Sequence, residues 1–144
     1  MQMPIAHEKI LVDTGPLVAV LNAADEHHAW ALEVFGRLVP PVFTCEAVLS
    51  EAQFLLHDRG GDPLAVLDWV RLGAVSLSFS AGAEIGRLLA LQRSYQNLPM
   101  DFADACLVRM TELHSRSRVL TTDAHFRIYR RNGRQQIPVI APGE

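Results

Sequence analysis

The sequence predicts an α/β domain with a mainly parallel central sheet and helices on both faces. Three observations carry that expectation. Short continuous apolar runs, led by Ile10-Leu11-Val12, have the pattern of strands buried on both sides, which belong to parallel sheets. Pairs of segments with helical spacing separate those runs, giving the order β-α-α-β-α-α-β-α-α-β-β. A chain of 144 residues and 16.0 kDa is about one domain, residues 1–144, and can bury roughly 68 to 70% of the surface it exposes when unfolded.

The first run stops at Asp13-Thr14-Gly15-Pro16, a turn, after which residues 17–21 read as a first helical turn. Residues 25–38 form the next helix, with Asp25 or Glu26 at its start and Trp30, Val34 and Leu38 at helical spacing; Pro40-Pro41 closes the unit. Residues 42–44 make a second strand, leading into a helix over about 46–57 that ends at Arg59-Gly60-Gly61, and Asp62-Pro63 opens another helix to residue 71. In the stretch 74–79, Val75, Leu77 and Phe79 alternate with Ser76 and Ser78, the signature of a half-exposed, edge-type strand. Helices follow over about 83–95 and, after Leu98-Pro99-Met100-Asp101, to about 115; residues 118–121 and 137–140 complete a sheet of about five strands.

Hydrophobic residues at 49%, charged residues at 20% and a mean hydropathy of +0.13 exclude intrinsic disorder and collagen-like repeats. No apolar run approaches the roughly 18 residues of a membrane span, and the polar start, residues 1–9, lacks the hydrophobic segment of a signal peptide. A cytoplasmic protein with no membrane partner is the expectation. Cys45 and Cys106 are too few for a disulfide framework or a thiolate zinc site and read as small core residues. Trp30 and Trp69, among aliphatic neighbours, read as core anchors, and His27, His28, His57, His114 and His125 lack metal-ligand spacing. Gly60-Gly61 is not followed by the Lys and Ser or Thr of a phosphate loop.

Net charge is −3, which by itself does not suggest a nucleic-acid partner. Its distribution is uneven. Between Arg109 and Arg134 seven arginines face only Glu112 and Asp123, so this quarter is basic and the remaining body acidic. Arginine favours bidentate contacts to phosphate or carboxylate, although a solvated helix end and loop would show the same composition.

The acids that the pattern pushes inward, or to a strand end, are the ones to weigh for chemistry. Asp13 ends the first buried strand and Asp123 lies just beyond Val119-Leu120; in an open parallel sheet, ligands bind in the crevice at the carboxyl ends of the strands. Glu51 sits at the border of an apolar face, with Val48 at i−3 and Leu55 at i+4. Asp101 and Asp104 stand one turn apart at a helix start, where capping is the plain role of such residues, yet Leu107 and Val108 draw Asp104 inward. Asp13, Glu51, Asp104 and Asp123 would converge on one rim, and packed carboxylates repel unless a cation joins them. Hard oxygen donors suit Mg²⁺ or Mn²⁺, and such an ion activates water and stabilises phosphodiester oxygens, so a metal-dependent nuclease is predicted.

These residues carry a resemblance to the PIN-domain family, and in size and motif to its VapC-type toxins of bacterial toxin-antitoxin pairs. Val12-Asp13-Thr14 is similar to the family's opening acid, the segment Thr44-Cys45-Glu46-Ala47-Val48-Leu49-Ser50-Glu51 to its second motif, Ala103-Asp104-Ala105 to its third, and Thr121-Thr122-Asp123-Ala124-His125-Phe126 to its closing Thr-x-Asp-x-x-Phe segment. The acids follow at intervals of 38, 53 and 19 residues. The resemblance implies a three-layer α/β/α fold and a Mg²⁺- or Mn²⁺-dependent endoribonuclease acting on RNA, with an antitoxin that blocks the site and a homodimer as the assembly. It implies Asp13 and Asp104 as direct metal ligands, Glu51 as ligand or through-water partner, and Asp123 as ligand or orienter of the attacking water. Asp101 could share or replace the role of Asp104, or act as a cap. Thr121 would hold a carboxylate in place, as Thr14 could, and the Arg-rich stretch would track RNA or receive an acidic antitoxin tail.

Two other readings compete. A phosphatase with Asp13 as nucleophile needs a second acid two residues on, where this chain has Gly15. A binding module would use the same acids to dock a basic partner without chemistry.

Overall fold

The computed structural model describes residues 8–143; the first seven residues, most of the polar start considered above, lie outside them. Five parallel strands form the central sheet: β1 (Lys9–Val12), β2 (Val42–Thr44), β3 (Val75–Leu77), β4 (Ser117–Leu120) and β7 (Val139–Ile140), in the order β3-β2-β1-β4-β7. Two further short strands, β5 (Arg130–Arg131) and β6 (Gln135–Gln136), make a separate antiparallel hairpin. Leu11 lies opposite Phe43 on one side and Val119 on the other, and Leu11, Val12, Val119 and Leu120 are completely buried, as continuous apolar strands covered on both faces require. The edge position expected for 74–79 is that of β3, where only Val75 is fully buried.

Six helices cover the sheet: α1 (Thr14–Leu21), α2 (His28–Arg37), α3 (Glu46–Asp58), α4 (Ala65–Arg71), α5 (Ile85–Ser94) and α6 (Phe102–Leu113). Contacts link α1 with α2, α3 and α4, and α5 with α6, the grouping expected when right-handed crossovers run one way from β1 to β2 to β3 and the other way from β3 back to β4, which places the two sets on opposite faces. The result is a three-layer α/β/α fold whose strand order reverses between β1 and β4. At such a reversal the connections leave in opposite directions and a crevice opens at the carboxyl ends of the strands.

Several boundaries differ from expectation for local reasons. The first helix is two turns, not one, because Asp13 caps it and Pro16 falls in its first turn, where a missing N–H costs nothing. The second helix begins at His28, not at Asp25, because the Asp25 side chain accepts from the amide of His27 at 2.8 Å and holds a turn there. A 3-10 turn, Gly82–Glu84, precedes α5, and only Val139–Ile140 of the final apolar run pairs with the sheet. The hairpin was not anticipated, although Asn132 and Gly133, both at positive φ (53° and 82°), are the residue pair that favours tight hairpin turns.

Candidate metal centre

The end of β1 delivers Asp13 to the crevice, the end of β4 delivers Thr121 and Asp123, and the first turn of α6 delivers Asp104. Asp13, Asp104 and Asp123 each offer a carboxylate oxygen lying within 4.8 Å of the others. Asp13 and Asp104 are only 6% and 8% exposed, while Asp123 is half-buried. Glu51, also half-buried, lies on the wall of the same cleft, outside that close triple. The cleft holds about 350 Å³ and is also lined by Asp101, Asp25 and Glu26.

Each buried acid is held at one oxygen by a hydroxyl. The Thr121 hydroxyl donates to Asp13 Oδ2 at 2.7 Å, and the backbone amide of Thr14 donates to Asp13 Oδ1 at 2.8 Å. The same Thr121 oxygen accepts from the amide of Asp123 at 2.9 Å, so one side chain couples the ends of β1 and β4. Tyr129, fully buried after the 3-10 turn Ala124–Arg127, donates its hydroxyl to Asp104 Oδ2 at 2.8 Å. Asp101 caps α6, its Oδ1 accepting from the Asp104 amide at 2.7 Å, and remains exposed on the cleft. Asp123 Oδ1 accepts from the amide of His125 at 2.9 Å.

Burial pushes the Asp13 carboxyl up from its ordinary 3.8 to about 6; the bonds from Thr121 and Thr14 oppose the rise, and the charges of Asp123 and Glu51 add to it. Burial likewise raises Asp104, to about 8, helped by the neighbouring charge of Asp101 and opposed by the Tyr129 bond. Without a cation, then, Asp104 keeps its proton at neutral pH. The donor set consists of hard oxygens only, and the buried Thr14 hydroxyl has no hydrogen-bond partner among the described residues, although it lines the cleft. The residues fit a hard divalent ion with ordered water better than they fit any soft metal.

Some features were not visible as site residues in the sequence. Tyr129 was not singled out, and its only cue was an aromatic residue shortly after the closing motif. Arg59, at the end of α3, lines the cleft with its Nη1 3.6 Å from Asp25 Oδ2. The arginine-rich quarter is partly spent on structure: Arg109 bonds Glu84 at 2.9 Å and Glu112 at 3.2 Å, Arg118 forms an ion pair with Glu8 at 2.8 Å, and Arg130 and Arg131 bond backbone carbonyls. Gly15 lies so close to the Thr122 side chain that a Cβ there would overlap it, which leaves no room for the second acid of a phosphatase.

A family model described as PIN domain matches residues 10–132. Ribonuclease VapC26 of Mycobacterium tuberculosis is 29% identical over 134 residues, covering 91% of this chain and 99% of the relative. The crystal structure of Mycobacterium tuberculosis VapC20, described as a sarcin-ricin loop cleaving toxin, superposes with a TM-score of 0.70 at 24% identity, covering 81% of this chain and 91% of that one. The first likeness spans nearly the whole of both chains, and the second shows the shared fold.

Proposed function

The chain belongs to the PIN-domain family, and from that premise we propose that it is a metal-dependent endoribonuclease, the toxin of a toxin-antitoxin pair. The observation that carries this reading is the meeting of Asp13, Asp104 and Asp123 within 4.8 Å at the sheet's reversal point. The ribonuclease name of the relative aligned along nearly its full length supports RNA as the substrate.

In this reading Asp13 and Asp104 hold Mg²⁺ or Mn²⁺ directly, with Glu51 as ligand or through-water partner. A bound ion of this kind lowers the pKa of water and offsets charge on phosphodiester oxygens. Asp123 is the least buried of the triple, and with Oδ1 engaged by the His125 amide it can orient an attacking water through Oδ2. Thr121 keeps the Asp13 carboxylate aimed, and Asp101 sets the first turn of α6 so that Asp104 faces inward. Thr14 contributes its backbone amide to Asp13. An antitoxin covering the cleft, a homodimer and a cytoplasmic location belong to the same proposal; no helix among the described residues is long and apolar enough to cross a membrane.

The test is paired. Calorimetry with Mn²⁺ should give saturable binding that Asp13→Asn and Asp104→Asn abolish, and the same folded variants should lose Mg²⁺-dependent RNA cleavage. Variants that cleave RNA as fast as wild type would refute the catalytic assignment, and a protein with no saturable Mn²⁺ binding would be a docking module instead. Growth arrest on expression, relieved by Asp104→Ala, would establish the toxin role.

A further inference from the structure

Seven carboxylates line the acidic cleft, and among the described residues Arg59 is the only Lys or Arg in its wall. A divalent ion offsets two of those charges, so a polyanionic strand entering the cleft still meets a negative wall except at this guanidinium. Arg59 follows the last turn of α3, and its amide donates to the Leu55 carbonyl at 3.0 Å. Glu51, Leu55 and Arg59 therefore continue one helical stripe, four residues apart, and all three face the cleft.

The guanidinium is aimed but not consumed. Asp25 Oδ1 accepts from the amide of His27 at 2.8 Å, which fixes the carboxylate, and its Oδ2 stands 3.6 Å from Arg59 Nη1. That separation gives attraction without a hydrogen bond, and no hydrogen bond joins the Arg59 side chain to another described residue. The Asp25 side chain is 10% exposed and that of Arg59 51%, so the donors of the guanidinium stay open to the cleft. A half-exposed pair at this distance adds little stability, and folding alone does not account for a guanidinium placed on this wall.

We propose that Arg59, positioned by Asp25, is a substrate-binding residue that grips a backbone phosphate of the RNA strand next to the phosphate at the metal centre. That the strand is RNA rests on the ribonuclease reading. A helix rises about 1.5 Å per residue, so Arg59 starts about 12 Å beyond Glu51 along α3, which sets it toward a neighbouring phosphate rather than the one held at the ion. Arginine suits this task, because its planar fork gives two parallel bonds to phosphate oxygens and its charge persists at every working pH.

The experiment measures steady-state cleavage of a single-stranded RNA oligonucleotide with Mg²⁺, at potassium chloride from about 50 to about 200 mM, alongside Mn²⁺ calorimetry and thermal melts of the full-length protein. Wild type is compared with Arg59→Gln, Arg59→Lys and Arg71→Gln; Arg71 is exposed on α4, pairs with Asp68 at 3.2 Å and lies outside the cleft lining, so its loss controls for net charge. For Arg59→Gln, KM should rise about tenfold at the lower salt with kcat within about twofold of wild type. The slope of log KM against log salt should fall by about 0.7, the share of one single-strand phosphate contact, and Mn²⁺ affinity should not fall. Arg59→Lys keeps the charge and loses the fork, so it should keep the wild-type slope with KM raised about threefold. Should Arg59→Gln not fold, Arg59→Lys carries the test, and a wild-type KM in it overturns the assignment. A folded Arg59→Gln with wild-type KM and slope overturns it whatever its melt, and so does a fall in kcat with KM unchanged, or a loss of Mn²⁺ affinity in parallel with KM. Equal shifts in Arg71→Gln would leave net charge as the cause and sink the contact. If wild type cleaves no RNA, fluorescence anisotropy with the same intact oligonucleotide replaces KM: binding that depends on Arg59 and not on Arg71 refutes the ribonuclease reading and leaves the phosphate contact standing, whereas binding indifferent to Arg59 refutes the contact.

Discussion

The Tyr129 hydroxyl donates to Asp104 Oδ2 at 2.8 Å from inside the core, where Tyr129 is packed edge-on by Tyr95 and Phe126 at ring separations of 5.2 Å. One oxygen of the acid is thereby taken, and its other is turned to the cleft. Thr121 does the same for Asp13. A buried carboxylate whose orientation is held by a neutral donor loses little freedom when it binds a cation, so these two hydroxyls are expected to preorganise the site. Tyr129→Phe should weaken Mn²⁺ binding by about 10- to 100-fold while lowering stability by only about 1 kcal/mol, as calorimetry and thermal melts would show. Unchanged affinity in a folded variant would reduce Tyr129 to a packing residue.

Thr121→Val should be at least as damaging. It removes the donor to Asp13 and also the acceptor for the Asp123 amide, so both strand ends lose their link. About a tenfold or greater loss of Mn²⁺ affinity is expected, whereas Thr121→Ser, which keeps the hydroxyl, should retain most of it. If valine and serine bind alike, the hydroxyl is not what holds Asp13.

The raised carboxyls make the metal-free protein sensitive to pH. Asp13 and Asp104 in the folded chain keep protons that the unfolded chain releases near pH 4, so their contribution is fully present below that pH and is lost as pH rises through about 6 for Asp13 and about 8 for Asp104. Melts without divalent ions should therefore fall between pH 5 and 9, by on the order of a few kcal/mol. Asp104→Asn should flatten the upper part of that decline, and Mg²⁺ should restore the wild-type melt more at pH 8 than at pH 5. Parallel melts of wild type and variant at every pH would contradict the raised Asp104 carboxyl.

Which parts of this were readable in the sequence follows from how local their causes are. Leu11 and Val119 announce buried strands because their apolar neighbours leave no solvent face, and Asp13 and Asp104 stand out because they interrupt apolar surroundings. Asn132-Gly133 signals the hairpin turn, but its flanks, Arg130-Arg131 and Gln135-Gln136, are wholly polar and carry no strand alternation. The Tyr129 bond was not readable, because it joins Asp104 to a residue 25 positions later through a 3-10 turn whose path no periodicity encodes. The apparent basic surface misled for a similar reason: the pairing of Arg109 with Glu84 is tertiary, so counting charges along the chain cannot show that it is neutralised.

Gly15 gives a test of how closely α1 approaches the closing motif. A Cβ at this position overlaps the Thr122 hydroxyl, so Gly15→Ala must turn the Thr122 side chain or displace α1 or the loop that carries Asp123. A cost of about 1 to 3 kcal/mol is expected from overpacking, together with weaker Mn²⁺ binding. Gly15→Ala with Thr122→Gly should recover both, since the second change removes the obstructing atoms; failure of the pair to recover would mean that the strain lies elsewhere.

The last prediction concerns Glu112, whose side chain is 1% exposed and binds three elements at once. Its oxygens accept two bonds from Arg87 on α5, at 2.9 and 2.7 Å, one from Arg109 at 3.2 Å, and one from the amide of Asn132 in the hairpin turn at 2.7 Å. Burial alone would raise its carboxyl, but these bonds outweigh it and hold the group below its ordinary value. Its stabilising contribution is therefore present at neutral pH and lost as pH falls through that lowered value. Glu112→Ala leaves two guanidinium groups without their shared anion, at a cost of about 3 kcal/mol, near the low end for buried pairs because Arg87 keeps contact with water. Glu112 lies two helical turns beyond Asp104 on α6, so Mn²⁺ affinity at low temperature should stay at the wild-type level while the melt drops. Loss of affinity in parallel with stability would mean that the hairpin and the acidic cleft unfold as one unit.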